Sequence, residues 1–161
     1  MKYFAYGSNM LPQRLQRRIP GAQMISSPCV LEGYKLVFHK EGRDGSAKCD
    51  IIQTGLPTDC VQGALFEITN DEMLVLDRYE GSGYRRDQVT VTGPDGHSVS
   101  AITYFATRIN DSLLPFDWYF QHVLEGAIAA NLDPAYIAEL KKVACKQDPD
   151  RARADMERSI Y

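Results

Sequence analysis

A chain of 161 residues with 44% hydrophobic and 24% charged side chains is long enough for one domain with a real core and short for two. Its net charge of -3 offers no basic face for nucleic acid, and no apolar run is long enough to span a bilayer. Cys29, Cys49, Cys60 and Cys145 form no C-x-x-C pair and fall into no zinc-ligand spacing with His39, His97 or His122, so neither a disulfide framework nor a metal site is expected. The opening Met1-Lys2-Tyr3 holds no apolar signal region, and the expectation is a cytoplasmic protein with no membrane partner.

In chain order, Tyr3-Phe4-Ala5 reads as a short strand running into the turn Tyr6-Gly7-Ser8-Asn9. Such a turn exposes consecutive backbone N–H groups, a concave donor site for a small anionic group, beside a hydroxyl and an amide. Gly7 admits close approach of a ligand to the backbone. The same residues also suit an ordinary turn, and both readings stand at this point. Arg14, Arg17 and Arg18 read as a solvated helix face. Tyr34, Leu36 and Phe38 alternate with Lys35 and Val37 as a half-buried strand, followed by a polar loop from Glu41 to Ala47. Cys49–Thr54 and Val61–Ile68 are two more strands, and Gly63 in the second marks a bulge or a close backbone approach.

Thr69 and Glu72 have capping-box spacing, so a helix starts there, turns Met73, Leu76 and Tyr79 to one face, and stops at Gly81. Gln88–Thr92 and Ser98–Ala106 alternate around Gly93-Pro94-Asp95-Gly96 as a hairpin. Phe120, Val123, Leu124, Ala127 and Ile128 then repeat with helical period. Asp133-Pro134 opens a last helix that buries Tyr136 or Ile137, Leu140 and Ala144. Residues 147–161 read as a charged tail, a loose helix or partly disordered, outside a single domain of residues 1–146.

Glu80 is the leading candidate for chemistry. It stands in the last turn of its helix, where the dipole disfavours a carboxylate, and such a glutamate suits general acid/base work. The plain alternative is an exposed glutamate compensated by Arg78, Arg85 or Arg86. Tyr84, Tyr104 and Tyr119 could orient an amine or a carboxylate in a pocket, or could be core aromatics with a hydroxyl at the rim. Trp118 packs. Ser8 lacks the Gly-x-Ser-x-Gly form of a nucleophile elbow, the cysteines lack an activating context, and no Walker or dinucleotide glycine pattern occurs. What remains is a carboxylate working beside a backbone donor loop and tyrosines, with no cofactor.

Together these residues resemble the γ-glutamylcyclotransferase family. Tyr3-Phe4-Ala5-Tyr6-Gly7-Ser8-Asn9-Met10-Leu11 resembles its opening signature, and Val61-Gln62-Gly63-Ala64-Leu65-Phe66 its strand before the helix. Leu76-Asp77-Arg78-Tyr79-Glu80-Gly81 resembles the segment bearing its catalytic glutamate, and the likeness runs on through Thr103-Tyr104-Phe105 and Trp118-Tyr119 to Leu140. The resemblance implies an α+β fold, a mixed or antiparallel sheet curled into a small barrel with helices around it. It implies that Tyr6, Gly7, Ser8, Asn9, Met10 and Leu11 hold a γ-glutamyl group through backbone N–H groups. Tyr104 would help to fix that group, Tyr119 would line the site, and Glu80 would be the general acid/base. The reaction implied is closure of the glutamyl group to 5-oxoproline with release of an amino acid or amine, without metal or cofactor. The expected partner is a small γ-glutamyl molecule, with a homodimer left open. Two other readings stay in view: a binder of γ-glutamyl or acidic metabolites, and a γ-glutamyl hydrolase.

Overall fold

The computed structural model describes residues 1–161. Five strands close into a barrel: β1 (Lys2–Ala5), β2 (Gln23–Glu32), β5 (Cys60–Glu67), β6 (Tyr84–Thr92) and β7 (Ser98–Ala106), in the order β1-β5-β2-β6-β7. All pairings are antiparallel except the seam, where β1 meets β7 in parallel at Tyr3 and Ile102. β3 (Tyr34–Glu41) and β4 (Ala47–Gln53) form a separate antiparallel hairpin. The expected α+β barrel is therefore present. β2 escapes a sequence reading because its pairing is interrupted by register shifts between Met24 and Cys29, so no clean alternation runs along it.

The strands bury side chains on both of their faces. Phe4, Val61, Leu65, Phe66 and Val91 are all at most 1% exposed, and burying each such side chain is worth roughly 1.5–3 kcal/mol. Gly63 is required here for space: a Cβ on it would collide with the Ala5 carbonyl oxygen and the Phe4 ring, so β1 and β5 could not pair so closely. The expected close approach is met.

The helices are α1 (Pro12–Arg18), α2 (Asn70–Glu80), α3 (Asp117–Ala129), α4 (Pro134–Leu140) and α5 (Arg151–Arg158). The capping box of α2 is formed: Thr69 Oγ1 accepts from the Glu72 N–H at 3.1 Å, and Glu72 accepts from the Thr69 N–H at 2.8 Å. Gly81 ends the helix with φ of 66°, a conformation that glycine adopts without steric cost. α4 is shorter than its periodicity suggests, and Ala144 lies beyond it, exposed.

The charged C-terminal segment is ordered and docked. Asp150 caps α5 by accepting from the Arg153 N–H. Buried Asp148 accepts from Trp118 Nε1 at 2.8 Å and from the forked Arg153 guanidinium at 2.7 and 2.5 Å. These contacts hold its carboxyl far below the usual range, the Arg153 hydrogen bonds being the main cause. Ala154 joins the core, and Glu157 accepts from Arg14 at 2.6 Å.

Candidate active site

β1 ends at Ala5, and Tyr6-Gly7 leads into a 3₁₀ turn at Ser8–Met10. The turn is set from behind by α3, where Gly126 approaches so closely that a Cβ on it would lie 2.7 Å from the Leu11 nitrogen and 2.8 Å from Met10 Cβ. Met10 and Leu11 are buried, and their N–H groups are consumed inside the turn by the carbonyls of Gly7 and Ser8. Their side chains do not line the cleft. The Gly7 N–H has no acceptor in the protein. Ser8 and Asn9 open the 3₁₀ turn, where N–H groups have no partner within the helix. The donors this loop can offer a ligand thus run from Gly7 to Asn9.

Glu80, the last residue of α2, reaches this loop with its side chain 14% exposed. Its Oε1 accepts from Asn9 Nδ2 at 2.9 Å and from Arg18 Nη1 at 3.2 Å, while Oε2 has no protein donor. Asn9 also donates to the Tyr3 hydroxyl at 3.0 Å and accepts from Arg18 at 3.1 Å, which fixes which way its amide points. One carboxylate oxygen is held in place and the other is available.

The compensating cation differs from the sequence expectation. Arg85 pairs with Asp87 and Arg86 with Asp77, while Arg18 serves Glu80. Arg14 and Arg18, read as a solvated face, are in fact largely enclosed, with side chains 11% and 20% exposed. A short arginine-rich helix shows no apolar stripe that would mark its inward side, so only the tertiary structure reveals them.

The tyrosines line the cleft together. Tyr6 donates to the Tyr104 carbonyl at 2.6 Å, Tyr84 to the Cys49 carbonyl at 2.6 Å, and Tyr104 to Asp77 at 2.7 Å. Their protons are committed, so Tyr104 can meet a ligand only as an acceptor. Tyr3 and Tyr119 each accept a hydrogen bond, from Asn9 and from the Cys49 N–H, and keep a proton to give. Burial pushes all five phenols up, so they stay neutral. Burial likewise raises the Cys49 thiol to about 12, which leaves it unsuited to nucleophilic attack. Ser8 Oγ accepts from Arg14 Nε and has no neighbouring group placed to take its proton.

The cleft encloses about 370 Å³, near the small end for ligand sites. Six cations line it (Arg14, Arg18, Lys40, Arg43, Lys48 and Arg153) against three carboxylates (Asp44, Glu80 and Glu157). A chain of net charge -3 thus presents a cationic hollow. Arg153 and Glu157 reach it from α5, the segment set apart in sequence. No group of histidine, cysteine and acidic residues could hold a metal ion.

Residues 3–119 match the family described as gamma-glutamyl cyclotransferase, AIG2-like. The bovine gamma-glutamylcyclotransferase is 31% identical over 147 residues, covering 88% of this chain and 77% of its own. The human gamma-glutamylcyclotransferase is 31% identical over 149 residues with the same coverage. A solved gamma-glutamyl cyclotransferase structure superimposes with a TM-score of 0.86 at 25% identity, covering 99% of this chain and 98% of its own. The chain belongs to the γ-glutamylcyclotransferase family of enzymes.

Proposed function

We propose that the protein converts a γ-glutamyl compound to 5-oxoproline and the free amino acid or amine, with Glu80 as general acid/base. The observation that carries this reading is the state of Glu80. One oxygen is anchored by Asn9 and Arg18, and the other is unclaimed in a cationic cleft beside unpaired loop N–H groups.

The substrate's α-amine attacks its own γ-carbonyl carbon. A C–N bond closes the five-membered lactam, and the bond to the leaving nitrogen breaks. Two protons leave the α-ammonium and two reach the departing nitrogen, so Glu80 Oε2 can relay them without net consumption. Nucleophile and electrophile share one chain, and no nucleophilic serine or cysteine is needed. Holding the substrate folded supplies the orientation term, up to roughly 7–11 kcal/mol in well-aligned intramolecular reactions. The N–H groups of Gly7, Ser8 and Asn9 suit the glutamyl carboxylate or the oxyanion. Tyr3 and Tyr119 offer the two uncommitted hydroxyl protons.

The test is 5-oxoproline formation from γ-glutamyl compounds by wild type and Glu80→Gln. Loss of a general acid/base should lower turnover by about 10²–10⁴-fold with the thermal transition retained. A Glu80→Gln enzyme of normal activity would remove Glu80 from the mechanism.

A further inference from the structure

Four of the six cleft cations are matched to a protein carboxylate. Arg14 pairs with Glu157 at 2.6 Å, Arg18 with Glu80 at 3.2 Å, Lys48 with Asp44 at 2.7 Å, and Arg153 with Asp148 at 2.5 Å. Lys40 and Arg43 have no such partner. Lys40 is the unusual one. It stands near the end of β3, only 7% exposed, with its ammonium 4.7 Å from the centre of the Tyr84 ring and no carboxylate in ion-pairing range. A buried ammonium without an anion is costly, and one face of an aromatic ring offsets only part of that cost.

Both cations lie close against the turn that follows Glu80. A Cβ on Gly83 would lie 2.7 Å from Lys40 Cε and 2.8 Å from its Nζ. A Cβ on Gly81 would lie 2.6 Å from Arg43 Nη2. The Lys40 ammonium thus lies against the Gly83 backbone. Two unpaired cations are thereby seated directly against the Glu80 turn, opposite no acidic side chain of their own.

The reaction proposed above says what anion belongs there. Glu80 must reach the departing nitrogen to protonate it. An α-amino acid leaving group carries its carboxylate on the carbon bonded to that nitrogen, so its negative charge falls within a few bonds of the Glu80 carboxylate. A simple amine has no such charge, and an isopeptide through a lysine ε-nitrogen carries it a whole side chain away. We propose that Lys40, with Arg43 at the rim, receives the carboxylate of the departing amino acid and selects γ-glutamyl α-amino acids over γ-glutamylamines. This rests on the cyclotransferase reading and names the leaving group that the reading leaves open.

The experiment compares kcat/KM for γ-glutamyl-alanine, γ-glutamyl-alaninamide and ε-(γ-glutamyl)-lysine. The alaninamide keeps the size of the leaving group and removes its charge. Wild type is expected to favour the alanine compound over the alaninamide by about tenfold to a hundredfold, the range of a charge-assisted hydrogen bond. Lys40→Met should collapse that ratio toward one by losing activity on the alanine compound, and Arg43→Gln, on the exposed rim, should lower it less. A wild-type ratio near one, turnover confined to the isopeptide, or equal losses on both alanine compounds in Lys40→Met would each overturn the assignment while leaving the cyclotransferase intact. The wild-type comparison stands even if Lys40→Met does not fold. Absence of 5-oxoproline from every compound would instead overturn the function itself.

Discussion

Asn9 carries more of the site than its place in a turn suggests. Its amide joins Tyr3, Arg18 and Glu80, which come from β1, α1 and α2, so a single side chain registers three elements on one carboxylate. Asn9→Ala would free Glu80 to follow Arg18 alone. The expected result is a fall in kcat/KM of about tenfold or more, expressed mainly in kcat, because the lost contact orients the carboxylate proposed as acid/base rather than the substrate. Steady-state kinetics check this, and a purely KM effect would argue that Asn9 serves binding alone. Glu80 was legible in the sequence because the capping box, the apolar face and Gly81 mark where its helix starts and stops. Arg18 was not legible, since its partner is 62 residues away and nothing in a run of arginines says which one turns inward.

At the scale of elements, α5 is the informative case. Apart from Ala154, its inward contacts are polar: Arg153 on Asp148, Glu157 on Arg14 and on His122 Nε2 at 3.1 Å, and beyond the helix Tyr161 bonds to His122 Nδ1 at 2.6 Å. A helix docked mainly through charges shows little apolar stripe, which is why residues 147–161 read as a charged tail, a loose helix or partly disordered. The docking should be sensitive to acid. Hydrogen bonding to His122 and the charge of Arg14 outweigh burial and hold Glu157 down to about 2, from an ordinary value of about 4.5. The unfolded carboxylate therefore takes up its proton first, and this contribution is complete above pH 4.5 and lost as pH falls toward 2. Burial lowers His122 below its usual 6.5, so acid works against docking from that pH downward as well. Trp118 is the only tryptophan and bonds to Asp148, so its fluorescence reports on the segment. An acid titration should show a transition in that signal. Glu157→Gln should flatten its dependence between pH 4.5 and 2, and a titration unchanged by that substitution would place the sensitivity elsewhere.

The whole molecule combines a closed barrel with a cleft whose charge opposes that of the chain. The strand pair β6 and β7 and the α2 helix followed from periodicity, because each buries one regular face, whereas β2 did not. The closure itself did not, since it depends on a single parallel register pair between Tyr3 and Ile102, on strands far apart in the sequence. Nor did the cationic cleft, which gathers residues from β3, α1, the loop after β3, β4 and α5. That separation of charge has a measurable consequence. KM for an acidic γ-glutamyl substrate should rise several-fold as salt is raised from about 0.05 to 0.5 M, through a Debye length shrinking below about 10 Å. Turnover should change little if, as proposed, the protons pass between Glu80 and a substrate in contact with it, a distance over which salt does not screen; a flat KM would mean that the cations act only at contact.

The central claim is that the substrate's own amine, and not water, displaces the leaving group. Running the reaction in ¹⁸O-labelled water and weighing the products tests it most directly. Unlabelled 5-oxoproline released in equal amount with the amino acid or amine is the predicted result. Glutamate carrying one ¹⁸O would show attack by water and contradict the account.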